Sequence, residues 1–129
     1  LEYVARVDSP ADVVRRFYDC MQARDWDGAG ACLSSEVHVE YTATGEVVDG
    51  GRFLDMNRDY EEGWTIHVIE VIGHGDRVAA QVRVGLAAER DWCLGFYTVR
   101  HGMITDGVEH WVTEGSVPAP QWRAPYRTS

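Results

Sequence analysis

The sequence predicts an α+β domain, in which three N-terminal helices pack on a strongly curved antiparallel sheet to make a cone-shaped α+β barrel. Three observations carry this. Apolar residues recur at helical spacing up to Leu33, then alternate with polar ones from Val37 onward. Glycine-containing turns divide the second half into strand-length pieces. Helices first and a bent sheet after them leave a cone whose mouth is a natural ligand pocket.

Ser9-Pro10-Ala11-Asp12 starts the first helix. Ser9 caps it, Pro10 fits the first turn and Asp12 stands where a capping-box acid belongs. Val13, Phe17 and Cys20, with Val14 and Met21 alongside, follow at helical spacing to about Arg24. Asp25 caps a short second helix whose apolar face is Trp26, Ala29, Cys32 and Leu33. Gly28 and Gly30 weaken that helix by about 1 kcal/mol each. In "EVHVEYTA", Val37, Val39 and Tyr41 alternate with Glu36, His38 and Glu40, the pattern of a half-buried strand. Asp49-Gly50-Gly51 breaks the chain. Phe53, Met56 or Asn57, and Tyr60 then mark a third helix ending at Gly63.

The remainder reads as strands. "TIHVIEVIG" and "RVAAQVRVGLA" flank the turn Gly73-His74-Gly75-Asp76. "DWCLGFYTVR" follows a second turn near Glu89. His101-Gly102 is a third, and "MITDGVEHWVTE" is the last strand, over residues 103–114. Hairpin turns at this spacing imply an antiparallel meander. "SVPAPQWRAPYRTS" holds three of the four prolines and reads as an extended tail pinned by Trp122 and Tyr126. Residues 1–117 therefore form one domain, and 118–129 a Pro-rich tail.

The totals exclude several function classes. The 129 residues suit one core, and 45% apolar content supports one. Twelve Lys and Arg against 21 Asp and Glu give a net charge of -9, a poor match for nucleic acid or an anionic membrane. No apolar run has the length of a membrane span. "LEYVARVDSP" lacks a basic start followed by an apolar stretch, so no signal peptide is read there. Cys20, Cys32 and Cys93 form no C-x-x-C pair and read as core residues in a reducing, cytoplasmic setting. The five histidines form no H-x-x-x-H or H-E-x-x-H pair, so no metal site is expected. No Ser-His-Asp pattern and no Gly-rich phosphate loop is legible.

One stretch, "GVEHWVTEG", sets a carboxylate inside an apolar strand. Alternation puts Val108 and His110 on one face and Glu109 and Trp111 on the other. Glu109 then points either to solvent or into a cavity with chemistry to do. His67, between Ile66 and Val68, is a hydrogen-bonded core residue or a proton shuttle. Tyr41 is an aromatic at the core edge or a donor to a substrate oxygen. Phe17, Tyr18, Tyr60, Trp64, Trp92, Tyr97 and Trp111 are aromatic candidates for the pocket wall. Asp106 before Gly107 marks a bulge or kink. His38 and Glu40 face solvent.

"RFYDCMQARDWDGAGACLSSEVHVEY", "GFYTVRHGMITDGVEHW" and the glycine turns resemble the nuclear transport factor 2-like superfamily over residues 9–117. The chain looks most like the SnoaL-like polyketide cyclases and their limonene epoxide hydrolase relatives. The resemblance implies an acid-base carboxylate on the last strand, seven residues after Gly102, which is Glu109. It matches Arg83 to the Arg of the epoxide hydrolase pair, while Gly85 stands where that pair has Asp. The ketosteroid isomerase Tyr and Asp positions hold Phe17 and Tyr41. The scytalone dehydratase Tyr and His match Tyr41 and His67, while Met21 and Gln22 replace its first-helix pair.

The resemblance thus implies cofactor-free acid-base chemistry on a small, largely apolar molecule bearing a carbonyl or hydroxyl. Cyclisation, dehydration, isomerisation and hydration all qualify, with Glu109, His67 and Tyr41 catalytic and Arg83 lining the site. The alternative is a non-catalytic ligand-binding or dimerisation module of the same fold. A homodimer is expected through the face carrying Val108, His110 and Val112.

Overall fold

The capping box at Ser9 forms as the sequence requires. In the computed structural model, which describes residues 8–129, the Asp12 amide donates to Ser9 Oγ and the Ser9 amide to Asp12 Oδ2, both at 3.2 Å. Residues 1–7, where the signal-peptide reading falls, lie outside the described residues. Helix α1 (Pro10–Gln22) buries Val13, Val14, Phe17, Tyr18 and Met21 on one face. It stops before Arg24, whose φ of 60° is left-handed and cannot continue a helix. Helix α2 (Trp26–Ala31) is capped by Asp25, whose Oδ1 accepts from the Gly28 amide at 2.9 Å. Gly28 is there for space: a Cβ would stand 2.9 Å from Cys20 Sγ and would collide with the Asp25 carboxylate.

Strand β1 (Leu33–Tyr41) turns into a short strand β2 (Glu46–Asp49), which the sequence reading did not anticipate. Helix α3 (Gly51–Asp59) ends ahead of Tyr60, which is extended. Strands β3 (Thr65–His74), β4 (Arg77–Leu86), β5 (Glu89–Arg100) and β6 (Met103–Thr113) follow as expected. Gly75 takes a φ of 59° at the β3–β4 turn, and His101 and Gly102 take 53° and 75° at the β5–β6 turn. Two successive left-handed residues match the twist of a tight hairpin.

Among the described residues six strands form one curved, unclosed sheet in the order β2-β1-β6-β5-β4-β3. The meander β3 to β6 is antiparallel throughout, and β1 joins β6 in parallel, so the sheet is mixed. That junction brings the N-terminal strand beside the C-terminal one and sets Tyr41 next to Glu109. The β5–β6 register shifts between Thr98 and Val99, opposite the Thr105–Asp106 step, so the bulge expected at Asp106 is present. The inner sheet face and α1 form the core, including Phe17, Val37, Val39, Val82, Tyr97 and Ile104, all nearly inaccessible to solvent. Each such side chain contributes about 1.5–3 kcal/mol by leaving water.

The tail is not wholly extended: Gln121–Tyr126 forms a 3-10 turn. Trp122 and Tyr126 remain 69% and 79% exposed, so they pin nothing. Rings on a segment with no packing partner have no apolar surface to cover.

Candidate functional site

Glu109 points into the cone. It is 4% exposed, and alternation along β6 puts it on the inner face between Val108 and His110. The cavity above it has a volume of about 320 Å³. Phe17, Tyr18, Tyr41, Tyr60, Trp64 and Trp111 of the sequence candidates line it with Glu109. Phe53, Asn57, Asp91 and Glu46 also line it, and none of them is a pocket candidate in the sequence. Asp91 was legible in principle, since it shares the two-residue period of Cys93, Gly95 and Tyr97 on β5. Phe53 shows in the sequence only as part of the apolar face of the third helix.

Both carboxylate oxygens are held. The Tyr97 hydroxyl donates to Glu109 Oε2 at 2.7 Å, and Trp111 Nε1 donates to Oε1 at 3.0 Å. The Tyr18 hydroxyl from α1 closes on the Tyr97 hydroxyl and lies 4.0 Å from Cys93 Sγ. Two glycines make this possible. A Cβ on Gly95 would collide with the outer edge of the Tyr97 ring, and one on Gly107 would stand 2.9 Å from its Cδ1. The ring lies over both, which aims its hydroxyl at the carboxylate. Gly107, read from sequence with the Asp106 kink, is thus the slot for Tyr97. Tyr97 itself is buried behind Glu109 and does not line the cavity.

Burial dominates the electrostatics. It pushes the Glu109 carboxyl above the usual carboxylate range, and hydrogen bonds from Tyr97, Trp111, Cys93 and Tyr41 oppose the rise. Burial and then the Glu109 charge push Tyr41 and Tyr97 up. Burial, then Cys93, does so for Tyr18. Burial, then Glu109, also raises the Cys93 thiol. The upward shift favours the protonated phenol at all three tyrosines.

Three further candidates, His67, Arg83 and Trp92, do not line the cone either. His67 is exposed on the outer face of β3, because the chain alternation that turns Ile66 inward turns His67 out. It lines a separate surface cleft with Arg83, its cross-strand partner on β4. Arg83 pairs with Glu114 at 3.7 Å and sits over the Trp92 ring, 5.5 Å from its centroid. Trp92 Nε1 donates to Glu114 at 2.9 Å on that same side. The sequence match to a dehydratase His and a hydrolase Arg therefore does not bring either residue to Glu109. Phe17 lines the cone, but the α1 hydroxyl in the network comes from the next residue, Tyr18.

Trp64 Nε1 is buried with no hydrogen-bond partner among the described residues, and the Arg24 guanidinium lies 3.4 Å above the ring centroid. No group of three or more His, Cys, Asp or Glu among the described residues could hold a metal ion. No helix of the described residues is long and apolar enough to cross a membrane.

Known structures share this architecture. A provisionally named ketosteroid isomerase from Kribbella flavida DSM 17836 superposes with a TM-score of 0.85 at 25% identity, covering 93% of this chain and 88% of that one. An LEH-like epoxide hydrolase from M. tuberculosis gives 0.68 at 20% identity, covering 80% and 82%. IdmH, a provisionally named polyketide cyclase from Streptomyces antibioticus, gives 0.68 at 14% identity, covering 83% and 93%. The last two likenesses concern the fold alone. No curated protein sequence matches the chain significantly. The SnoaL-like domain model matches residues 14–107, a span that runs from α1 to the glycine slot under Tyr97, and the chain belongs to that family.

Proposed function

We propose that the cone is the acid-base pocket of a cofactor-free enzyme acting on a small, largely apolar molecule that bears a carbonyl or hydroxyl. Glu109 carries the proton and Tyr41 donates to the substrate oxygen. One observation supports this above others: a desolvated carboxylate lies at the floor of an aromatic cavity, braced by two donors. Its raised pKa brings proton exchange closer to neutrality, where a general base or acid is most effective. With His67 outside the cone, Glu109 would take a proton from one substrate atom and return it to another. Isomerisation, cyclisation and dehydration all permit such a cycle. Exposed Leu94, Phe96 and Val112 on the outer sheet face support a homodimer through that face. The three free cysteines support a cytoplasmic setting.

Hydrogen–deuterium exchange tests the chemistry without a known substrate. An apolar ketone such as 2-tetralone is incubated with the protein in D2O and followed by NMR. Exchange next to the carbonyl should exceed that in buffer and that with Glu109→Gln. No acceleration across a panel of apolar ketones would overturn the reading.

A second reading, a non-catalytic ligand-binding module, is favoured by the fact that Tyr97 and Trp111 already engage both Glu109 oxygens. A satisfied buried polar group needs no further role. Ligand-induced thermal stabilisation without proton exchange would select it.

A further inference from the structure

The cone has one sign of charge. Among the described residues its lining includes the carboxylates Glu46, Asp91 and Glu109, and no Lys, Arg or His. Glu46 and Tyr60 are exposed and Asp91 is half-buried, so these mark the mouth, while Glu109 marks the floor. Asp91 Oδ1 accepts from the Thr113 hydroxyl at 2.7 Å. Neither Asp91 nor Glu46 has an ion-pair partner among the described residues, although several other acids of this chain do. The acids also act on the cavity walls. Burial and then Asp91 and Glu89 push the Tyr60 phenol up, and Glu46 adds to the rise at Tyr41.

The walls between mouth and floor are aromatic: Tyr41, Phe53, Tyr60, Trp64 and Trp111 among them. An aromatic face carries negative potential and attracts a cation, most strongly where water is displaced. An anion entering this space would meet three carboxylates and ring faces with no cationic side chain in the lining, the Arg24 guanidinium being stacked on the Trp64 ring without lining the cavity, which disfavours carboxylate and phosphate ligands. A neutral ligand would use the rings and leave the acids at the mouth unused.

We infer that the molecule taken by the cone also carries a cation, a protonated or quaternary alkylamine on its apolar carbonyl- or hydroxyl-bearing skeleton, with its ammonium at the Asp91 side of the mouth and its skeleton on the aromatic wall. This rests on the reading of the cone as a small-molecule pocket and names the class of molecule that fills it. Asp91 is then a specificity-determining residue, placed to hold charge rather than to move a proton.

The test compares three probes of similar size by tryptophan fluorescence titration: benzyltrimethylammonium, its neutral carbon isostere neopentylbenzene, and the anion 3-phenylpropionate. The cation should bind about tenfold or more tightly than the neutral isostere, and the anion least of the three. Asp91→Asn keeps an acceptor for Thr113 and should reduce the cation preference severalfold while leaving neopentylbenzene affinity unchanged. Glu46→Gln, at an exposed side chain that makes no ion pair among the described residues, checks the same loss should Asp91→Asn lower the melting temperature. Equal or tighter binding of the neutral or anionic probe overturns the inference and leaves the small-molecule reading standing. So does a cation preference that survives in both variants. No binding of any probe overturns both.

Discussion

Tyr41 is the register partner of Glu109 across the parallel junction of β1 and β6, and both side chains face the cavity. The two residues are 68 positions apart in sequence, and only the parallel pairing of β1 with β6 makes them neighbours. Glu109 is also the partner of Gly95 on its other side, where the missing side chain leaves room for Tyr97 to reach it. The carboxylate thus has a phenol from each neighbouring strand, one facing the cavity and one behind it.

Glu109→Gln should abolish proton exchange while keeping or raising stability at pH 7. A Gln amide oxygen can accept from Trp111, and its NH2 can donate to Tyr97, which then donates to Tyr18. The sign follows from the raised folded pKa. Wild type keeps its full stability at this site below the unfolded carboxyl value. It loses stability as pH rises through the folded value. The melting temperature of Glu109→Gln relative to wild type should therefore improve from pH 4 to pH 8. A lower melting temperature together with intact turnover would make Glu109 structural.

Tyr97→Phe removes a donor that holds the Glu109 pKa down and leaves the Tyr18 hydroxyl with only the Cys93 thiol, 4.0 Å away. The acidic limb of the pH–rate profile should move to higher pH. Stability should fall by about 1–3 kcal/mol, the cost of leaving a buried polar group unpaired. Urea denaturation reads the second effect, and an unshifted acidic limb would argue against the Tyr97 role.

Gly95→Ala and Gly107→Ala each put a Cβ into the Tyr97 ring. Both should destabilise by about 1–3 kcal/mol, as overpacking in a filled core does. Coupling provides the sharper check: in a Tyr97→Ala background the Gly107→Ala cost should largely vanish.

His67→Ala and Arg83→Ala should leave probe binding in the cone unchanged, since both side chains stand on the outer sheet face. A loss of binding in either, with the melting temperature kept, would contradict that placement.

Leu94, Phe96 and Val112 are 36%, 43% and 51% exposed on the outer face beside His110. A homodimer through this face is expected at micromolar concentration by sedimentation velocity. Phe96→Arg should give a monomer, because two unpaired guanidinium groups would be buried at the interface. A wild-type monomer would count against the expected assembly.

The elements were legible because their causes are local. The capping box at Ser9 and the alternation through β3 to β6 depend on residues a few positions apart, and so do the His101-Gly102 turn and the bulge before Gly107. Composition and charge made nucleic acid and an anionic membrane poor matches as partners, an expectation that rests on the sequence. The family resemblance, counted on from Gly102, pointed to Glu109, and the aromatic candidates were mostly those that line the cone. What local pattern could not decide was which face of each strand turns inward. His67 and Glu109 both sit among apolar neighbours, yet one faces out and the other in. That choice depends on where α1 lies across the sheet, which is a matter of long-range packing. The parallel β1–β6 pairing, the Tyr97 ring over Gly95 and Gly107, and the convergence of Asp91 with Glu46 at the cone mouth have the same origin. Each joins residues far apart in the chain, and only the free energy of burying one shared core brings them together.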